Sequence, residues 1–538
     1  MKALKKTLLY TLLAASTTMI PTSCSNWLEL SPEDYYGSGS YWKTEAQVVA
    51  YIDGIHKHLR DAAWQHSLIF GELRGGMFKN GVNSDGITAS YGSIILQNFD
   101  ERNTGVSKFG DLYGRITNLN LFISRVTDAD YIGQEKKNFF LAQVYGLRAF
   151  YYFDLYRIYG GVPIRLIPEV VDGVTDPNLL YIHRSTPKEV MAQIKSDISK
   201  SLELFGNVND FDPYKRGNKV YWSKAATETL KGEVYLWTAK VSTGDDTATP
   251  SDINEAKASF ESVVNNYKLS LQPSFEKVFD AQNNKANSEI IFAIRFLEGE
   301  STNSMGSFLY NMATGSTKDR FLENGEKFGD PLGIQTTGNQ TMEYDTLLFN
   351  SFDEKDTRKL ATFIGSYEKD TLTNVVSLYG THVRKNIGYI NAQGTRIYCG
   401  DMAFYRLPLV YLYLAEIANY AGDNAGVEQY INLVRKRAYG KSWDEAVHGF
   451  KAGDFTKNEL AILSEKDKEF IQEGQRWWDL RRMTLTKDGK PLVFCPEGNP
   501  KANGLPILNE ATEKHKLLWP IERGMLDNDP KLTQTPGY

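Results

Sequence analysis

One helix constrains this chain more than any other stretch. Ala142 to Ile164, AQVYGLRAFYYFDLYRIYGGVPI, holds seven aromatics: Tyr145, Phe150, Tyr151, Tyr152, Phe153, Tyr156 and Tyr159. Tyr145, Ala149, Tyr152, Tyr156 and Tyr159 recur at helical spacing, and Gly146, Phe150 and Phe153 form an adjoining stripe. Gly160-Gly161 stops the helix and Pro163 prevents its restart. Aromatic rings can stack on a ligand, but two adjacent stripes on one helix read as a packing face between helices. Any fold for this chain must therefore surround the helix with others.

Candidates for those neighbours are legible. Thr186 caps a helix that begins with Pro187 and carries Glu189 at its third position, a capping box that predicts a helix over 187–204. Ser223 can cap KAATETLKGEVYLWTAK, and Ser251 or Asp252 can cap INEAKASFESVVNN. Phe404–Ala421, Ala425–Tyr439 and Lys457–Met483 read as helices again. Leu147-Arg148-Ala149, Leu230-Lys231-Gly232 and Leu414-Ala415-Glu416 each set a small residue among bulky ones. That alternation lets helices approach closely, as in tetratricopeptide-type pairs. The expected fold is mostly α: a tetratricopeptide-like helical-repeat scaffold over 107–268 and 404–485. A loop-rich, partly β region of about 270–403, opening with strand-like SEIIFAIRF, is inserted into it.

The N-terminus predicts where the protein resides. Lys2, Lys5 and Lys6 precede an apolar run from Leu8 to Ile20, then Pro21-Thr22-Ser23-Cys24. This has the form of a signal peptide, too short in its apolar part to span a bilayer. A cysteine after small residues predicts a bacterial lipoprotein with Cys24 as acylated residue one, so 1–23 would be removed. The net charge of −5 then becomes −8, and no Lys/Arg block remains to favour nucleic acid. Cys399 and Cys495 are too few for a disulfide framework, and their state is left open.

Four segments carry a family resemblance: CSNWLELSPED after the signal, LRAFYYFDLYRIYGGVPI, YRLPLVYLYLAEIANYAGD with YINLVRKRA, and EFIQEGQRWWDLRR with the terminal LTQTPGY. Together they resemble the SusD/RagB family, surface glycan-binding lipoproteins of Bacteroidetes. The resemblance implies four tetratricopeptide-like helix pairs under a variable ligand-binding region, docked on a TonB-dependent transporter of the SusC type at the outer membrane. It implies capture of oligosaccharide with no cofactor. Trp477-Trp478, between Arg476 and Asp479, belongs to a scaffold signature and reads as packing rather than as a sugar platform.

Sugar recognition needs flat aromatic faces and planar polar groups on loops held by a rigid frame. Two regions fit. The first is 64–103, rich in Gly, Asn, Asp and Ser, which presents Trp64, Arg74, Asn83, Asp85, Tyr91 and Asn98. The resemblance implies that Arg74 stands at the Arg of a contact-bearing turn, although Gly76 replaces the usual acid. The second follows Phe296 and contains Tyr310 and Phe321.

The rival readings are a family member capturing peptide or another nutrient, and a secreted glycoside hydrolase. A hydrolase needs two placed carboxylates, and among 66 acids such pairs arise by chance. His-Glu-x-x-His, Gly-x-Ser-x-Gly and a Gly-rich phosphate loop are all missing from the sequence. A non-enzymatic binding protein is the expectation.

Overall fold

A computed structural model describes residues 41–61, 65–80, 89–106, 109–303, 319–333, 342–501 and 503–538. Tyr51–Tyr538 form one unit and Met1–Ala50 another. The helices used below are α1 (Glu45–Asp61), α2 (Ala89–Ile95), α3 (Phe109–Val126), α4 (Gln134–Tyr159), α5 (Pro187–Phe205), α6 (Lys224–Lys240) and α7 (Asp252–Asn266). They continue with α8 (Phe275–Val278), α9 (Leu407–Ala421), α10 (Asn424–Tyr439), α11 (Phe455–Glu469) and α12 (Arg476–Arg482).

The aromatic helix α4 is enclosed, as its double stripe requires. It packs on α3, α5 and α6, while α6 pairs with α7 and α9 with α10. Tyr152 and Tyr156 are fully buried, and each keeps its hydroxyl satisfied: Tyr152 donates to the Arg165 carbonyl at 2.7 Å and Tyr156 to Asp246 at 2.6 Å. Small residues allow the close approach. A Cβ on Gly146 would sit 2.2 Å from the Trp222 ring nitrogen, and one on Gly232 would sit 2.5 Å from the Phe260 ring. Thr186 forms the expected capping box, accepting from the Glu189 N–H at 3.2 Å while Glu189 accepts from the Thr186 N–H at 2.8 Å.

Helix α7 packs on α9, so the residues between them leave and re-enter the scaffold at neighbouring helices. That segment carries the strands β2 (Ile290–Ile294), β3 (Met342–Tyr344), β4 (Phe363–Lys369), β5 (Val376–Val383), β6 (Tyr389–Ile390), β7 (Arg396–Ile397) and β8 (Met402–Arg406). They form antiparallel pairs: β2 with β8, β4 with β5, β6 with β7, and β3 with β1 (Phe78–Asn80).

Two helix boundaries differ from expectation. Phe404, Tyr405 and Arg406 belong to β8, because Ile290–Ile294 offers them a strand partner, and the helix starts at Leu407. The expected helix over 457–483 breaks after Glu469 and resumes at Arg476. Gln472 and Gly474 adopt left-handed φ of 67° and 73° in the break, which brings Gly474 against Gly71: a Cβ on Gly71 would lie 2.1 Å from the Gly474 carbonyl oxygen.

Below the strands lies a buried ionic lattice with no sequence signature. Arg406 pairs with Glu289 at 3.0 Å and Glu473 at 2.7 Å, and both Arg406 and Arg437 meet Glu469. Arg358 joins Asp356 at 2.6 Å and Glu465 at 2.7 Å. Between α6, α9, α11 and α12, Lys240 pairs with Glu416 at 2.8 Å, Arg482 with Glu416 at 2.8 Å, and Lys466 with Asp479 at 2.5 Å. Cys399 and Cys495 are buried free thiols.

Candidate functional site

The two regions singled out in the sequence meet at one strand pair. Asn80 at the end of β1 lies opposite Met342 at the start of β3, with Lys79 opposite Glu343 and Phe78 opposite Tyr344. Residues 81–88 therefore leave the pair where 334–341 enter it. Within the pair, the Phe78 and Tyr344 rings meet at a 37° tilt with centroids 4.3 Å apart. β5 lies against β3 through side-chain bonds: its Thr381 N–H donates to the Glu343 carboxylate at 2.8 Å and its Thr381 hydroxyl to the Tyr344 carbonyl at 3.2 Å. β4 follows, and Phe321 pairs with Tyr367 through two 2.8 Å backbone bonds.

Two acids root this platform. Burial pushes the Glu343 carboxyl up to about 7, although Lys79 at 3.2 Å pulls the other way. Burial also pushes Glu72 up to about 7; it accepts from the Tyr344 hydroxyl and, at 2.7 Å, from the Gly474 N–H.

The candidate residues divide sharply. Trp64, Asn83, Asp85 and Tyr310 lie outside the described residues, as does Cys24. Tyr91 sits on α2, directly after 81–88, half-buried, with its hydroxyl pKa raised by burial. Asn98 is exposed, and its backbone N–H donates to the Ser93 carbonyl at 2.7 Å. The Phe321 ring is half-buried with the Lys327 ammonium 4.4 Å from its centroid and Lys369 at 5.8 Å; next to it, Arg320 lies 3.4 Å over Tyr379.

Arg74 corrects the sequence reading. It is fully buried, its guanidinium 3.9 Å from the Trp477 ring centroid, 4.8 Å from Phe99 and 5.1 Å from Trp519. Its Nε donates to Gln97 at 2.7 Å and its Nη2 to the Lys516 carbonyl. Burial lowers its pKa to about 9. So placed, Arg74 is a strut joining distant segments and offers no surface to a ligand. The Gly-rich composition around it suggested an exposed loop, yet Leu68, Ile69, Phe70 and Leu73 are all buried. The glycines serve close backbone approach instead: a Cβ on Gly75 would lie 2.8 Å from the Arg476 side chain. Trp477 and Trp478 are buried, in line with the packing role expected for them.

Sequence reasoning missed a second feature. A cleft of about 370 Å³ opens between the corner after α8 and the segment joining β5 to β7. Phe279, Asp280, Gln282, Arg384, Asn386, Tyr389 and Arg396 line it, and Pro331 and Leu332, which lead towards 334–341, close one side. Arg396 donates to the Leu332 carbonyl at 2.9 Å and to the Gly388 carbonyl at 3.2 Å, and Tyr389 donates to Glu298 at 2.6 Å. The alternation of Arg, Asn, Gly and Tyr in RKNIGYINAQGTRIY was the available signal.

Paired helices carrying an inserted set of short antiparallel strand pairs define a helical-repeat scaffold protein. Comparison with known proteins identifies the type. The family model described as the SusD family matches residues 307–538, and one described as "Starch-binding associating with outer membrane" matches 26–236. A solved SusD superfamily protein from Bacteroides fragilis is 69% identical, covering 93% of this chain and 100% of that one, with a TM-score of 0.88. NanU of B. fragilis is 31% identical over 95% of this chain and 100% of its own, with a TM-score of 0.79. A laminarin-binding SusD-like protein, 18% identical, covers 92% of this chain and 100% of its own at a TM-score of 0.67, a likeness of fold. The chain belongs to the SusD family. No helix among the described residues is long and apolar enough to cross a membrane.

Proposed function

We propose that this protein is a lipid-anchored receptor of the outer membrane that captures oligosaccharide and delivers it to a TonB-dependent transporter of the SusC type, without chemistry of its own. The observation that supports the reading is the β1–β3 register, which sets Asn80, at the edge of the first candidate region, opposite Met342, at the edge of the second. Membership in a family described as starch-binding and associated with the outer membrane supports it, as does the laminarin-binding title of a protein of the same fold. Cys24 would supply the anchor, since several acyl chains together hold a protein firmly at a bilayer. Tyr91 and Asn98 from the first candidate region, with Phe321 from the second, are the described residues proposed to border the ligand.

The test is isothermal titration of soluble residues 25–538 against neutral and acidic oligosaccharides and, in parallel, against peptides. Glycan binding weakened by Tyr91→Ala supports the reading and the position. Peptide binding in place of glycan binding overturns it, and slow release of shortened glycan would revive the hydrolase. For the anchor, Cys24→Ala should move the protein from the outer-membrane fraction to the soluble one. For the partner, the wild-type lipoprotein extracted in mild detergent should co-purify with a TonB-dependent transporter.

A further inference from the structure

The cleft between α8 and β7 differs in character from the ionic interior beside it. Inside, Arg358, Arg406 and Arg437 each meet at least two carboxylates. At the cleft, Arg384 is exposed, and its guanidinium has no hydrogen-bond or ion-pair partner among the described residues. Its backbone is nonetheless held, donating its N–H to the Thr362 carbonyl at 2.7 Å. Of the rim acids, Asp280 is engaged by Lys277 at 3.0 Å and by the Asn283 N–H at 3.0 Å, and Glu276 stands exposed at the mouth. Lys385 is spoken for by Glu473 and Lys277 by Asp280, so Arg384 is the cation of the lining left open, with Arg396 held on carbonyls beside it.

A second observation is independent of charge. Asn386, two residues on, adopts a left-handed φ of 65° and is 5% exposed. Neither atom of its side-chain amide has a hydrogen-bond partner, although it lines the cleft. A buried amide without partners is costly, and such costs concentrate where a ligand settles them. Phe279 adds a half-buried ring with the Lys385 ammonium 4.4 Å from its centroid, and the bond of Tyr389 to Glu298 fixes a second ring on the opposite wall.

We propose that this cleft is a subsite for an anionic sugar unit, one carrying a carboxylate or sulfate. The Arg384 fork takes the anionic group, Asn386 turns its amide to a ring hydroxyl, and Phe279 or Tyr389 packs against the C–H face of the pyranose. A guanidinium presents paired donors that match a carboxylate or sulfate edge, which a neutral sugar does not offer. The volume suits one residue of a glycan, with Pro331 and Leu332 on one side of it. The inference rests on the glycan-capture reading and specifies its ligand class.

The experiment titrates soluble 25–538, wild type, Arg384→Ala and Arg384→Lys, with uronate-bearing, sulfated and neutral oligosaccharides of equal length. The wild type should prefer one of the anionic sets, and that set identifies the group. Arg384→Ala should weaken anionic binding about tenfold to a hundredfold, the range of hydrogen bonds to charged groups, with neutral binding unchanged. Arg384→Lys should restore part of the loss. A wild type that prefers neutral glycans, or anionic binding indifferent to Arg384→Ala, overturns the subsite while leaving glycan capture standing. Failure of every glycan to bind overturns the functional reading itself, and the subsite with it.

Discussion

Two groups of glutamates in this protein show how one residue type serves opposite ends. In the scaffold, burial opposes ionisation of Glu469, yet Arg437, Arg406 and Arg358 hold its carboxyl well below the usual range. Glu416 is treated alike by Arg482 and Lys240. At the roots of the loops, Glu72 and Glu343 are as deeply placed but lack that excess of cations, and burial pushes both up to about 7. Fixed cations thus hold Glu469 and Glu416 ionised, whereas Glu72 and Glu343 take up protons far more readily. Charge in the first region is a permanent brace; in the second it is conditional on pH.

The largest effect is expected where the brace is cut. Arg406→Met leaves Glu289, Glu469 and Glu473 facing one another and should cost about 3–5 kcal/mol in chemical denaturation, as for one-sided loss of a buried ion pair. A loss under about 1 kcal/mol would show that water already reaches the lattice. Arg74→Ala comes next, at about 2–4 kcal/mol, because it empties a ring-lined slot and strands Gln97. Glycan affinity of the protein that remains folded should not change; a selective loss of affinity would return Arg74 to the ligand site.

Gly232→Ala should cost about 1–2 kcal/mol, as overpacking against Phe260 outweighs the gain in helix propensity. The smallest effect concerns protons. Because the folded carboxyl of Glu343 titrates near 7 against an ordinary 4.5, the folded chain holds a proton that the unfolded chain releases between these values. Its contribution to stability is therefore undiminished below about 4.5, falls as pH rises through the window and levels off above 7. Glu343→Gln should flatten that slope in urea titrations across pH 4.5–7. An unaltered slope would mean that Lys79 keeps the carboxylate ionised.

Much of the scaffold was legible because periodicity and caps are local. The stripes of α4, the box at Thr186 and the small residues at Gly146 and Gly232 each act within a few residues of themselves or on one neighbouring helix. The helix break at Gln472 was hidden, since the contact it makes, Gly474 against Gly71, joins positions about four hundred apart. Arg74 was misread for the same reason. Glycine tells of missing side chains, and whether water or another backbone fills the space is a matter of tertiary contact. The regions 64–103 and that after Phe296 were singled out by composition, but the pairing of their described strands depends on the register of two three-residue segments.

From its order of residues alone, the chain determines that α4 must be enclosed, where the neighbouring helices start, and which family its motifs resemble. These follow from side-chain volume and backbone hydrogen bonding along one segment. The tertiary structure alone decides which arginines are struts and which are left open. Arg74, Arg406 and Arg384 are chemically identical, and their roles come from what distant segments bring to them: rings, carboxylates, or nothing but a cleft. Electrostatic free energy depends on surroundings assembled across hundreds of residues, and no local pattern encodes it.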